Sequence, residues 1–345
     1  MSQYDYIKDL AKLGLKNDQE GLLSVLNDLI EYSKKTKKTN FALQLQSIVK
    51  DSIREQQGKG LVRVGTPVHF LREENRDLKE LIIERLTSDY RFDNLVCDSS
   101  IKEELSYFVR EHKELELLQK LDLPIANKVL FYGPSGCGKT LASYVLAGEL
   151  NKLMIVVNLG AIVSSKLGET SKNLAKVFRQ STKEQCILFI DEFDSLGKLR
   201  DYSQDHGEMK RVVNTILQLF DYMPQDSIFI AATNQVDMID DALLRRFDLK
   251  LHLGLPNKSQ INELIQKTLQ SGKFYFDKPM KLSSIIELCL GLSYYSIQKT
   301  LINAIKRSLL SEADGVKFLK ASINTNLWEN LIKKERESMK KTSFS

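Results

Sequence analysis

Residues 133–140 read Gly-Pro-Ser-Gly-Cys-Gly-Lys-Thr, which fits G-x-x-x-x-G-K-[ST]. Such a string can hold phosphate. Its glycines let backbone N–H groups close around phosphate oxygens, and a helix starting behind them adds the positive end of its dipole. Lys139 is then expected to reach the β- and γ-phosphates of ATP, with the Thr140 hydroxyl a ligand for Mg2+. The candidate nucleotide-binding positions are Gly133, Pro134, Ser135, Gly136, Cys137, Gly138, Lys139, Thr140 and the following Leu141.

Three further groups suit the same chemistry. Ile187-Leu-Phe-Ile190 runs into Asp191-Glu192. Asp191 can hold Mg2+ through its water shell, and Glu192 can orient or deprotonate an attacking water. Asn234 follows another apolar run and offers an uncharged amide to the lytic water or the γ-phosphate; capping a turn is its plainer role. Arg245-Arg246 follows an apolar pair. A surface salt bridge would account for them, and so would an arginine finger offered to nucleotide on a neighbouring subunit. Cys137 has two readings as well. Its thiol is either lowered in pKa by a helix N-terminus, so that alkylation blocks nucleotide entry, or it is a small residue tolerated within the loop.

These groups need a scaffold that brings strand ends together. Lys128–Tyr132, Leu153–Asn158, Cys186–Ile190 and Ser227–Ala232 are short, rich in β-branched residues and lack polar alternation. That is the composition of parallel strands covered on both faces. Helical spacing falls between them, near 138–152, 170–182 and 207–222, giving an α/β doubly wound pattern whose ligands gather at the carboxyl ends of the strands. The expected fold is an α/β domain with a parallel sheet over 90–255. After Pro256 the strand signals stop, and 257–271, 281–289, 294–311 and about 315–337 read as helices, so a small helical domain is expected over 256–337 and a tail over 338–345. Residues 1–57 carry three apolar stripes and predict a three-helix N-terminal domain. In it, Lys34-Lys35-Thr36-Lys37-Lys38 suits the basic end of a helix better than a binding patch. Glycines at 58, 60 and 65 mark a linker over 58–89, with a charged helix expected from Phe70 to Asp89.

The 345 residues include 50 basic and 45 acidic side chains, a net charge of +5. This near balance, with no basic patch laced with aromatics, speaks against a nucleic-acid partner. Four cysteines lie far apart with no C-x-x-C pair, as expected for reduced thiols in a cytoplasmic protein without a structural zinc site. The start is unlike a signal peptide, and no apolar run approaches the ~20 residues that cross a membrane.

Taken together, residues 91–311 resemble the AAA family of ATPases, within the broader AAA+ group. The resemblance rests on Arg91-Phe-Asp-Asn-Leu95 as entry segment, GPSGCGKT as Walker A, ILFIDEFD as Walker B, Ala232-Thr233-Asn234 as sensor 1 and Asp241-Ala-Leu-Leu-Arg-Arg-Phe-Asp248 as the second region of homology. The compact Arg245-Arg246-Phe247, in place of the longer R-P-G-R-F, looks like the katanin, spastin and endosomal-sorting branch. Other wording, Ser165-Lys-Leu-Gly-Glu-Thr170 and Gly207-Glu-Met-Lys-Arg-Val-Val213, looks like bacterial stand-alone members. Gly291-Leu-Ser-Tyr-Tyr-Ser-Ile297 is similar to the family segment G-[FL]-S-G-A-D-I, with Tyr294-Tyr295 in place of Gly-Ala and no sensor 2 arginine. The resemblance implies a P-loop domain with a sheet of five parallel strands, and that Val96 and Cys97 lay backbone against adenine. It also implies a hexameric ring of identical subunits acting on a protein substrate through residues 1–57 and a pore loop, Lys166-Leu167-Gly168. Lys166 stands where the family has an aromatic, so it lacks the flat gripping surface. An ATP-driven remodeller of a protein partner is the expected function. A nucleotide-gated switch on a partner such as a protease is the alternative, and a nucleic-acid motor is disfavoured by the charge balance.

Overall fold

A computed structural model describes Leu78 and residues 80–162, 169–196, 206–269, 272, 274–311 and 321–342. It also describes Tyr6, Lys8, Leu10, Val25, Leu26, Asp28, Leu29, Ile30, Tyr32, Ser33 and Leu45, all of them helical. Of the expected three-helix domain, only these positions can be placed. Ile30 is buried against Leu26 and Leu45, and the rings of Tyr6 and Tyr32 lie 5.6 Å apart. Lys166-Leu167-Gly168 lies outside the described residues, as does most of the linker.

The central sheet has six strands in the order β1-β3-β4-β5-β2-β6. They are β1 (Ile82–Leu86), β2 (Lys128–Tyr132), β3 (Met154–Val157), β4 (Ile187–Ile190), β5 (Ile228–Thr233) and β6 (Leu249–His252). β2 to β6 are mutually parallel, the five parallel strands expected. β1 is an added antiparallel edge, with Leu86 paired to Met154 and Ile82 to Val157. This corrects the charged helix expected over 70–89, of which Ile82–Leu86 is a strand. Glu84 and Arg85 mimic a solvated helix face, yet Glu84 is buried and Arg85 pairs with Glu184.

Period-two alternation within the parallel strands feeds two cores. Leu130, Ile155, Leu188, Ile190, Phe229 and Ala231 face one side. Their neighbours Val129, Phe131, Met154, Ile187, Phe189 and Ile230 face the other. Helices cover both, which is why the strands show no polar alternation. On the second face lie α1 (Ser99–Lys113), followed by the one-and-a-half-turn α2 (Leu115–Lys120), and α3 (Lys139–Glu149). On the first lie α4 (Leu159–Ile162), α5 (Glu169–Lys183) and α6 (His206–Asp221). Rings of Phe178, Phe220, Phe229, Phe193 and Phe247 interlock there, with Phe193 edge-on to Phe247 at 6.0 Å. Two chain segments that matter chemically, Asp191-Glu192 and Arg245-Arg246, are thus each anchored by the next residue into one aromatic cluster.

Beyond the short α7 (Asp241–Leu244) and β6, the chain is mainly helical: α8 (Lys258–Thr268), α9 (Leu282–Cys289), α10 (Tyr294–Ser311) and α11 (Thr325–Thr342). Asn257 caps α8 in a reciprocal box with Gln260, at 3.0 and 2.8 Å. These helices share a third core around Trp328, which is fully buried and stacks on Phe276. Two expectations are corrected here. Strands do not stop at Pro256, because β7 (Phe274–Phe276) pairs in parallel with β8 (Ala321–Ile323). The last helix begins at Thr325 rather than near 315. Three-residue strands are too short to announce a period.

One buried titratable group lies away from the site. His112 on α1 is 9% exposed; its Nε2–H donates to the Ala126 carbonyl at 2.8 Å, and its Nδ1 has no hydrogen-bond partner among the described residues. Burial pushes its pKa down to about 4, against the opposing pull of the Ala126 carbonyl. Between the ordinary value near 6.5 and about 4, the unfolded chain therefore binds a proton that the folded chain refuses. This contribution to stability is whole above pH 6.5 and is lost as pH falls, by up to about 3 kcal/mol. Urea midpoints from pH 8 to 4 should fall more steeply for wild type than for His112→Gln, and parallel curves would refute the assignment.

Candidate active site

The phosphate-binding loop joins β2 to α3, and its shape is set by backbone that only glycine adopts without strain. Gly133 has φ +135°, and a Cβ there would sit 2.3 Å from the Leu253 carbonyl oxygen beside β6. Gly136 has φ +73°, and a Cβ there would sit 2.7 Å from Ser293 Oγ. The loop is therefore a cradle that side chains would fill. Behind it, α3 opens with Lys139, capped by Gly138 at φ +89°.

Lys139 is 6% exposed. Its ammonium donates to the carbonyls of Gly133 and Pro134 at 2.8 Å each, and to Asn234 Oδ1 at 2.7 Å. Burial lowers its pKa, opposed by Cys137, Asp191 and Asp194. Thr140 Oγ1 donates to Asp191 Oδ2 at 2.7 Å. A hydroxyl and a carboxylate held this close are the hard-oxygen pair that Mg2+ takes alongside nucleotide phosphates, so the residues present fit that ion. The other oxygen of Asp191 accepts from the Glu192 N–H at 2.9 Å. Glu192 is exposed and held at φ +51°, a left-handed conformation that costs a non-glycine residue about 1 kcal/mol or more. It follows β4 and turns outward.

Three strand ends thus converge. β2 delivers the loop, β4 delivers Asp191 and Glu192, and β5 delivers Asn234. One residue of this set went unassigned in the sequence. Asp194, 4% exposed, accepts from Thr233 Oγ1 at 2.8 Å and ties the β4 end to the β5 end. The signal was there in the third acid of Asp191-Glu-Phe-Asp194.

Arg245 and Arg246 are not drawn into this group by any hydrogen bond. Both follow α7, whose N-cap Asp240 accepts from Ala242 N. Both are exposed. Arg246 pairs with Asp221 at the end of α6, whereas Arg245 has no ion-pair partner among the described residues. Asp248 accepts from the N–H groups of Asn127 and Lys128 at 2.9 Å each, which fixes the arginine turn to the start of β2.

Beside the loop lies a cavity of about 230 Å³. Gly136, Cys137, Gly138 and Leu141 form its floor, Asn94 to Val96 one wall, and residues of α8 and α10 the other. Val96 lines this cavity, while Cys97 is not among the lining residues; burial pushes its thiol up to about 11. The far wall, Leu264, Lys267, Thr268, Tyr294, Tyr295 and Gln298, was not assigned from sequence. Lys267 holds the near wall in place through the Asp93 carbonyl, and Gln260 does the same through Asp98. Cys137 is 2% exposed and burial raises its pKa, Lys139 opposing. Of the two readings of Cys137, this favours the small residue tolerated within the loop, because desolvation outweighs the nearby positive charge.

Residues 129–255 match the family described as ATPase family associated with various cellular activities (AAA). An AAA family ATPase of Sinorhizobium fredii, y4kL, is 34% identical over 234 residues, covering 68% of this chain and 70% of that protein. The chain belongs to the AAA family of ATPases. Its enzymatic activity is ATP hydrolysis. The cell division cycle protein 48 homolog of Archaeoglobus fulgidus is 33% identical over 61% of this chain, and the peroxisomal ATPase PEX6 of Saccharomyces cerevisiae 32% identical over 56%. The matched segments span only 29% and 21% of those two proteins. No helix among the described residues is long and apolar enough to cross a membrane.

Proposed function

We propose that this AAA ATPase is Mg-dependent, assembles as a homohexameric ring in the cytoplasm and couples hydrolysis to remodelling of a protein partner. The observation that carries the site assignment is the hydrogen-bonded convergence of Lys139, Asn234, Thr140 and Asp191 from three strand ends. In this reading the loop N–H groups and Lys139 bind the triphosphate, and the cavity beside Val96 takes adenine. Thr140, and Asp191 through water, would hold Mg2+, which would supply positive charge to the triphosphate when bound. Asn234, now on the Lys139 ammonium, exchanges that partner for γ-phosphate or the lytic water. Glu192 orients that water and takes its proton.

Arg245 and Arg246 serve a neighbouring site, which supports the ring, since each site then needs a second subunit. We also propose the division into residues 1–57, 58–89, 90–255, 256–337 and 338–345. Partner contact is assigned to residues 1–57 and to the loop at Lys166. The lysine there in place of an aromatic favours a second reading, a nucleotide-gated switch on a partner such as a protease, with no threading of polypeptide. Turnover measured with unfolded protein, with candidate protein partners and with DNA tests this. Stimulation by unfolded protein supports remodelling; stimulation by one folded partner alone supports the switch. Stimulation by DNA alone would contradict both.

A further inference from the structure

Tyr295 poses a question that the site as described leaves open. It is a large aromatic residue, 64% exposed, and among the exposed large hydrophobic residues described here it alone lines the cavity beside the phosphate loop. Its place is fixed tightly. The Tyr295 N–H donates to the Gly136 carbonyl at 3.1 Å. The Tyr295 Cβ lies 3.0 Å from where a Cβ on Gly136 would be, so backbone and side chain meet the loop with no space between. The preceding Tyr294 is half-buried and packs against both the core under α3 and the core around Trp328. It anchors the first turn of α10, and Ser293 Oγ accepts from Ser296 N at 3.3 Å to cap that turn. Tyr295 is therefore a solvent-facing ring on a rigid base, between Gly136, where phosphates bind, and the cavity at Val96.

We propose that Tyr295 is a nucleoside-binding residue, whose ring covers the ribose and the edge of the base and slows nucleotide release. This rests on reading the cavity as the nucleoside site. An aromatic face is sequence-tolerant and strong, because every base has a π-face to stack on it. An exposed tyrosine gains by covering apolar ligand surface while its hydroxyl keeps its water. Tyr294, held by two cores, supplies the anchor rather than the contact.

The test measures equilibrium binding and dissociation rates of ADP and of inorganic tripolyphosphate, which has no nucleoside. The full chain is compared with Tyr295→Ala, Tyr295→Phe and Lys139→Ala. Tyr295→Ala is expected to bind ADP about tenfold or more weakly and release it correspondingly faster. Tripolyphosphate should bind it as it binds wild type, and Tyr295→Phe should restore ADP binding. Equal weakening for both ligands would overturn the proposal, since Tyr295 would then only brace the loop through Gly136. Unchanged ADP binding in Tyr295→Ala, beside its loss in Lys139→Ala, would overturn it while leaving the phosphate site intact. Retention of ADP by Lys139→Ala would instead overturn the underlying reading of the loop, and this proposal with it.

Discussion

A double variant, Arg245→Ala with Arg246→Ala, is expected to bind ATP nearly as wild type does and to lose hydrolysis by about 10³–10⁵-fold. The transferring γ-phosphoryl spreads negative charge over its equatorial oxygens, and a guanidinium placed there stabilises that charge. Both arginines are exposed at the end of α7, on a turn that Asp248 fixes to β2, and no hydrogen bond links them to their own Lys139 or Asp191. An intersubunit role makes a second expectation. Mixed with a Glu192 variant, the arginine variant should regain part of its activity, because some sites then pair an intact Glu192 with intact neighbouring arginines. Recovery should rise with total protein concentration, as assembly requires. Absence of rescue at every concentration would assign the arginines to their own subunit's site. Normal turnover by the double variant as a dilute monomer would remove the main support for a ring.

Glu192→Gln is expected to keep ATP affinity and to lose turnover by about 10²–10⁴-fold, the usual worth of a positioned general base. The substitution is nearly isosteric, and the left-handed backbone at 192 and the Asp191 contact to its N–H involve main chain only. Nucleotide binding should survive because the loop, Lys139 and Thr140 are untouched. Titration of ATP against the variant, beside single-turnover phosphate release, separates binding from chemistry. Near-normal release would remove Glu192 from the role of base. The expected outcome also provides a tool, since an ATP-held variant should retain its protein partner in a pull-down.

The candidate site was legible in the sequence where it is local. Gly133 to Thr140 carry their proposed backbone and side-chain roles within eight positions, and Asp191 and Asn234 each follow a short apolar run that reads as a buried strand. Their meeting followed from fold class, because parallel strands in an α/β sheet all present their carboxyl ends to one edge. Edge and two-strand pairings were not legible. β1 carries Glu84 and Arg85 on an antiparallel edge, where only one neighbour disciplines the pattern, and its charges read as helix surface. β6 is Leu-Lys-Leu-His, four residues with two polar side chains, and β7 with β8 is shorter still. The cavity's far wall escaped for a different reason. Leu264, Lys267 and Thr268 meet Leu95 and Val96 across some 170 positions, so no spacing in the chain could announce the contact. Cys137 kept two readings because sequence reveals the helix N-terminus and Lys139 but not the burial that outweighs them.

Phosphate release from ATP by the full chain with Mg2+, compared with the same chain carrying Lys139→Ala, tests the central claim most directly. The ammonium of Lys139 gathers two loop carbonyls and Asn234, so its loss removes the charge that meets the triphosphate and the link between β2 and β5 ends. The account predicts Mg-dependent release by wild type and, in Lys139→Ala, loss of both ATP binding and release. Release by purified Lys139→Ala at the wild-type rate would contradict it.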